Sequence, residues 1–212
     1  MIKIFKIILV ILFSVCLAYS ADSVDVVFRY NFAKDTIPTI PGTFNNWNNS
    51  VWLMTKSDGD LWIRTTRLAL GTYQYKFYVR TTPWPNDPLN HHVFPDANQN
   101  SILYVKNPTI YHFTPNQRNL VVNTSFPTIT AYLFPLVGTE VDTSTLSLKI
   151  DSYLYTGIGS AYDFITKKFS FTPSEPLANG NHIIILTAGT NADTVNFTTR
   201  GGFVQLLNQF PF

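Results

Sequence analysis

Cysteine is all but missing from this 212-residue chain: the single one is Cys16. It lies in the apolar run IILVILFSVCLA, which follows Lys3 and Lys6 and gives way at Ala18, Tyr19 and Ser20 to the polar ADSVD. Such a segment reads as a secretory signal peptide over residues 1–20, cut between Ser20 and Ala21. The mature chain would then carry no thiol, no disulfide and no thiolate metal site. Charge is scarce as well, at 13% of residues with a formal net of +2. No basic run tracks a phosphate backbone, which argues against nucleic acid as a partner. The apolar run is too short for a membrane helix and no other run approaches that length, so no membrane span is expected in the mature protein. Equally absent are a GxSxG elbow, a phosphate-cradling loop and HExxH. Glu140 and Glu175 lie in turn-like contexts rather than as the paired carboxylates a glycosidase needs. No catalytic residue and no cofactor is expected. His91 and His92, with Asp87 and Asp96 nearby, hint at a metal site. Adjacent residues on an extended chain point to opposite sides, however, so none is expected there.

What the chain does have is strand periodicity from end to end, with no helical stripe of useful length. In VDVVFRYNF, Val24, Val26, Phe28, Tyr30 and Phe32 alternate with Asp25, Arg29 and Asn31, the pattern of a half-buried strand. LWIRTTRLAL runs through Gly71 into TYQYKFYVR, which reads as a hairpin-like pair. There Tyr73, Tyr75, Phe77 and Val79 share one face, while Gln74, Lys76, Tyr78 and Arg80 share the other. Asp58 and Asp60 around Gly59 mark a tight turn. Pro38 and Pro41 suit an edge strand or a bulge. NSILYV closes this first set, and Lys106, Asn107 and Pro108 mark a linker. The pattern then restarts with TITAYLFP, LSLKID, KKFSFTP, NHIIILTAG and TVNFTT. The spacing predicts an all-β chain of two tandem immunoglobulin-like β-sandwich domains, over 21–106 and 107–212.

One stretch of the first domain, PGTFNNWNNS, sets Trp47 among turn-forming amides. An indole there either tucks under the loop or faces a ligand. PGTFNNW, then YQYKFYV, PWPNDP and NQNSILYV, in that order, resemble the family 48 carbohydrate-binding module. This is the glycogen- and starch-binding domain of debranching and branching enzymes and of the β-subunit of AMP-activated protein kinase. The likeness covers roughly residues 24 to 106. It implies that Trp47 and Trp84 stack on sugar rings, that Lys76 binds sugar oxygens and that Asn100 binds glucose hydroxyls. One departure concerns Trp84: where the family has an Asp-Gly turn, this chain has Arg80, Thr81, Thr82 and Pro83.

The residue chemistry agrees with that transfer. A pyranose presents C–H groups on its faces and hydroxyls at its rim, which calls for aromatic plates edged with amides and ammonium groups. Alternation leaves Lys76 on the face away from the aromatic core. Two indoles lying coplanar enough would cradle a curved chain of glucose units. Each residue also has a plainer reading: Trp47 as a loop plug, Trp84 as a loop-packing aromatic, Lys76 as a solvated strand lysine, Asn100 as a turn residue. Trp52 and Trp62, in strand-like apolar stretches, are expected in the core or at its rim.

In the second domain, KKFSFTPSEPLANGNHIIILTAG resembles the immunoglobulin-like domains of secreted bacterial proteins. The combination implies a secreted, periplasmic or cell-surface protein that binds an α-glucan polysaccharide or oligosaccharide without catalysis. A glycoside hydrolase is a possible partner or parent. The alternatives are a structural or adhesive surface protein with a decayed sugar site, and the N-terminal fragment of an α-amylase-type hydrolase.

Overall fold

The computed structural model describes residues 22–33, 36–80, 84–118 and 121–201. The expected signal peptide and its cleavage point lie outside the described residues. The chain is all-β. Strand β1 (Ser23–Asn31) follows the alternation of its sequence, with Val24, Val26 and Phe28 fully buried. It pairs antiparallel with β3 (Leu61–Ala69), whose other edge holds the short β2 (Thr55–Lys56). The Asp58 to Asp60 turn joins β2 to β3 as expected, with Gly59 in the left-handed region.

Strand β4 (Gly71–Tyr75) pairs with β5 (Ser101–Val105) and not with β3. This corrects the expected hairpin across Gly71. Both edges of β3 are already occupied, so the chain at Leu70 and Gly71 crosses to a second sheet, which packs over the first. Val26, Phe28, Trp62, Tyr75, Phe77 and Leu103 fill the space between the two sheets. Burial of such side chains is the main stabilising term, about 1.5–3 kcal/mol for each. Pro38 and Pro41 remove two backbone donors. The segment 39–42 accordingly meets 75–78 only in isolated bridges, Thr39 to Tyr78 and Gly42 to Tyr75.

A close turn joins the two sets of strands: Thr109 Oγ1 donates to the Lys106 carbonyl and accepts the Lys106 N–H. Strand β6 (Thr109–Thr114) follows at once, then β7 (Val121–Val122), β8 (Ile129–Phe134), β9 (Ser147–Ile150), β10 (Tyr153–Tyr155), β11 (Tyr162–Asp163), β12 (Lys168–Phe171), β13 (Gly180–Ala188) and β14 (Asn191–Thr199). They form two sheets, ordered β10-β9-β13-β14-β7 and β11-β12-β8-β6. A second core lies between these sheets, built on Phe113, Ile129, Leu133, Leu148, Phe169, Ile184 and Val195.

The two sandwiches abut. Tyr111 and Phe134 reach into the first core, and the Arg29 guanidinium lies 3.8 Å over the Tyr132 ring. Asp87 is the buried hub. Its Oδ2 accepts hydrogen bonds from Tyr75 at 2.6 Å and Tyr111 at 2.7 Å, and lies 2.7 Å from His112 Nε2.

Candidate functional site

Asparagine amides build the turn that carries Trp47. Asn45 Oδ1 accepts the Gly42 N–H at 2.9 Å, its Nδ2 donates to the Ile40 carbonyl, and the Trp47 N–H donates to the Gly42 carbonyl at 2.8 Å. Asn46 and Trp47 both hold left-handed backbone angles, φ 53 and 58. Asn tolerates that region through local hydrogen bonding, whereas a bulky residue does so at a cost. Gly42 is required by close approach, since a Cβ there would lie 2.6 Å from the Phe44 ring and 2.7 Å from the Gln74 carbonyl oxygen. The turn therefore sits directly on β4.

Lys76 follows β4, its backbone N–H bonded to the Pro41 carbonyl. Its neighbours Tyr75 and Phe77 are fully buried, so its own half-buried side chain leaves by the opposite face. Trp84 also has a left-handed backbone, φ 64, and packs edge-on against Tyr78 at 5.6 Å. Just beyond it the Pro85 carbonyl accepts the Phe77 N–H at 2.9 Å, and Asp87 plants the loop in the buried hub. Asn100, 9% exposed, donates from Nδ2 to Gln74 Oε1 at 2.8 Å.

Trp47, Lys76, Trp84, Asn98 and Asn100 line one concavity of about 400 Å³. That volume falls in the range of small-molecule sites, roughly 300–1,000 Å³. No lining residue carries a carboxylate. Both indoles are half-buried, so each keeps an accessible face. Their centroids stand 6.2 Å apart and their planes meet at 50°. They are not coplanar as expected, because Trp84 leans on Tyr78, and the result is an open V rather than a flat platform.

Asn98 and Gln74 were not foreseen. The available signal was spacing: Gln74 shares a strand face with Lys76, and Asn98 lies two residues before Asn100. Trp62 is buried with its indole N–H on the Phe32 carbonyl, and Trp52 stacks on Phe44 at 4.3 Å, so both belong to the core and its rim. A larger concavity, about 530 Å³, is lined by Thr39, Asn49, Leu53, Tyr78 and Arg80 among others. It offers no pair of aromatic plates.

The adjacent histidines require a correction. His91 and His92 do not diverge: their rings lie 3.8 Å apart and both Nε2 atoms stand 3.1 Å from Asp193 Oδ1. Neither histidine lies in a strand, and Asn90 Oδ1 accepts the His92 N–H at 2.9 Å in an Asx turn, so strand alternation does not govern the two rings. Asp87 and Asp96 take no part. Asp87 is the buried hub, and Asp96 accepts the backbone N–H groups of Asn98 and Gln99.

Residues 24–111 match a protein family described as the glycogen recognition site of AMP-activated protein kinase. No curated protein matches the sequence. Among solved structures, a maltogenic amylase from S. marinus is similar at 12% identity and a TM-score of 0.32. The likeness covers 81% of this chain and 28% of that one, so the chain spans under a third of the amylase's length.

Proposed function

We propose that this chain is a secreted, noncatalytic binder of α-glucans such as glycogen, starch or maltooligosaccharides. The observation that carries the reading is the convergence of Trp47, Trp84, Lys76, Asn98 and Asn100 on one concavity, inside the region that matches a glycogen recognition site. Successive glucose rings of an α-linked chain turn against one another, and indole planes meeting at 50° suit such a curved ligand better than a flat one. The indoles take the apolar ring faces. The Lys76 ammonium, with three donors, and the Asn98 and Asn100 amides take the hydroxyls. Asn100 Nδ2 is held by Gln74, which leaves its Oδ1 as the acceptor for a sugar hydroxyl.

The expected affinity is modest. A few exposed hydrogen bonds contribute about 1 kcal/mol each, and the two half-buried rings add a few more at about 25 cal/mol per Å². Lost rigid-body freedom opposes them by at least about 4 kcal/mol. A short oligosaccharide should bind at roughly 10 μM to 1 mM, and a polymer more tightly through avidity. The second sandwich acts in this reading as an immunoglobulin-like spacer, with the domain boundary near residues 106 and 107. Both follow an N-terminal signal peptide. A glycoside hydrolase that carries or recruits the module would be its natural partner.

Native electrophoresis in glycogen-containing gels tests the proposal. The purified chain should be retarded, and Trp84→Ala should move freely. Absence of retardation, or equal retardation of the variant, sinks it. One feature favours a second, adhesive role: the second sandwich exposes Tyr153, Leu154, Ile183 and Ile165, the last of them 92%. That role would survive loss of glycogen binding.

A further inference from the structure

The chain has four histidines, and two of them are committed elsewhere. His182 meets Asp151 through Nδ1 and the Ala178 carbonyl through Nε2. His112 Nε2 sits in the Asp87 hub. His91 and His92 instead converge from one loop of the first sandwich on Asp193 of β14 in the second, with both Nε2 atoms 3.1 Å from a single carboxylate oxygen. We propose that His91, His92 and Asp193 form a binding site for a divalent transition-metal ion, Zn²⁺ foremost, which ties the two sandwiches together.

Spacing, charge and access support the assignment. A tetrahedral ion with bonds of about 2.0–2.1 Å holds its ligand atoms about 3.3 Å apart, and here each imidazole nitrogen stands 3.1 Å from the carboxylate oxygen, the three donor atoms lying within 4.8 Å of one another. Asp193 is 9% exposed, and the charged partners seen for it among the described residues are these two histidines. A buried carboxylate requires positive charge nearby. A bound dication supplies that charge outright. Two imidazoles and one carboxylate select Zn²⁺, Cu²⁺ or Ni²⁺ over the oxygen-seeking Ca²⁺ and Mg²⁺. A neighbouring cavity of about 120 Å³, lined by His92, Tyr104, Lys106, Asn191 and Asp193 among others, gives an entry path and room for a water as fourth ligand.

The surrounding shell sets the strength. Thr194 N–H donates to Asp193 Oδ1 at 2.8 Å and orients the carboxylate. His91 Nδ1 is buried without a partner among the described residues. A metal-bound histidine normally donates through its second nitrogen, and losing that contact weakens affinity by roughly 10–100-fold. Binding in the micromolar range is expected.

The experiment titrates chelator-stripped, untagged protein with Zn²⁺ by calorimetry and with Co²⁺ by visible absorption. One ion per chain, a tetrahedral Co²⁺ spectrum and a melting point higher by roughly 5–10 °C at 100-fold excess over Kd are expected. His92→Ala and Asp193→Asn should weaken binding at least 10-fold, while His182→Ala leaves it unchanged. His92 is half-exposed, so its variant should fold, and undiminished retardation in glycogen gels checks this. Should Asp193→Asn fail to fold, His92→Ala decides alone. No saturable binding, full binding by His92→Ala, or Ca²⁺ bound as well as Zn²⁺ overturns the proposal.

Discussion

Trp47→Ala and Trp47→Gly together separate recognition from folding. Trp47 holds φ 58, where a residue with a Cβ is disfavoured by about 1–2 kcal/mol relative to glycine. Glycine also gives a more flexible unfolded chain, which offsets about 0.4–1 kcal/mol of that relief. The net advantage of Gly over Ala is then about 1 kcal/mol, or roughly 2–4 °C in melting point for a protein of this size. Recognition should not distinguish the two. One indole face against a pyranose covers about a third of the roughly 200 Å² a tryptophan can bury, some 70 Å², worth about 1.7 kcal/mol at 25 cal/mol per Å². Either variant should therefore bind about 20-fold more weakly. Gels over a range of glycogen concentrations give the dissociation constants, and scanning calorimetry gives the melting points. Native-like retardation of both variants would refute the stacking role. A glycine variant that melts below the alanine one would refute the strained turn.

Lys76→Met keeps the aliphatic stem and removes the ammonium. It should weaken glycogen binding about 10-fold, for a charged hydrogen bond worth about 1.5 kcal/mol, with the melting point unmoved. Gly42→Ala forces a Cβ onto the Gln74 carbonyl; it should lower stability by about 1–3 kcal/mol and also weaken retardation by displacing Trp47. For Asp87, burial pushes the carboxyl up, but the charge of His112 and hydrogen bonds from His112, Tyr75 and Tyr111 outweigh it and leave the group below the usual carboxylate range. The ionised form thus stabilises the fold at pH values above the unfolded pKa of about 3.9, and this contribution fades as pH falls through the folded value. Asp87→Asn should cost about 3 kcal/mol at neutral pH, and acid titrations of stability should show its gap to the native chain narrowing below about pH 4. A gap constant with pH would count against the hub.

The sandwich class was legible because strand burial has a period of two. Val24, Val26 and Phe28 carry that period openly, and so do Tyr75, Phe77 and Val79. The side of the sheet that Lys76 faces follows from the same rule. Strand partnership was not legible. Gly71 between two strand-like runs suits a hairpin and a crossover equally, and the choice rested on β1 and β2 already covering both edges of β3. The part played by Gln74 in holding Asn100 depends likewise on β4 lying beside β5.

The sequence alone determined the alternation, the turn built from FNNW and the chemical kinds of group available to a sugar, since these depend on neighbours a few residues apart. Tertiary structure decided how those groups meet: the 50° V of the two indoles, the burial of Asp87 among two tyrosines and a histidine, and the convergence of His91 and His92 on Asp193, which lies about a hundred positions further along the chain. Local periodicity carries no information about contacts at that separation, because they arise only where two separate cores pack against each other.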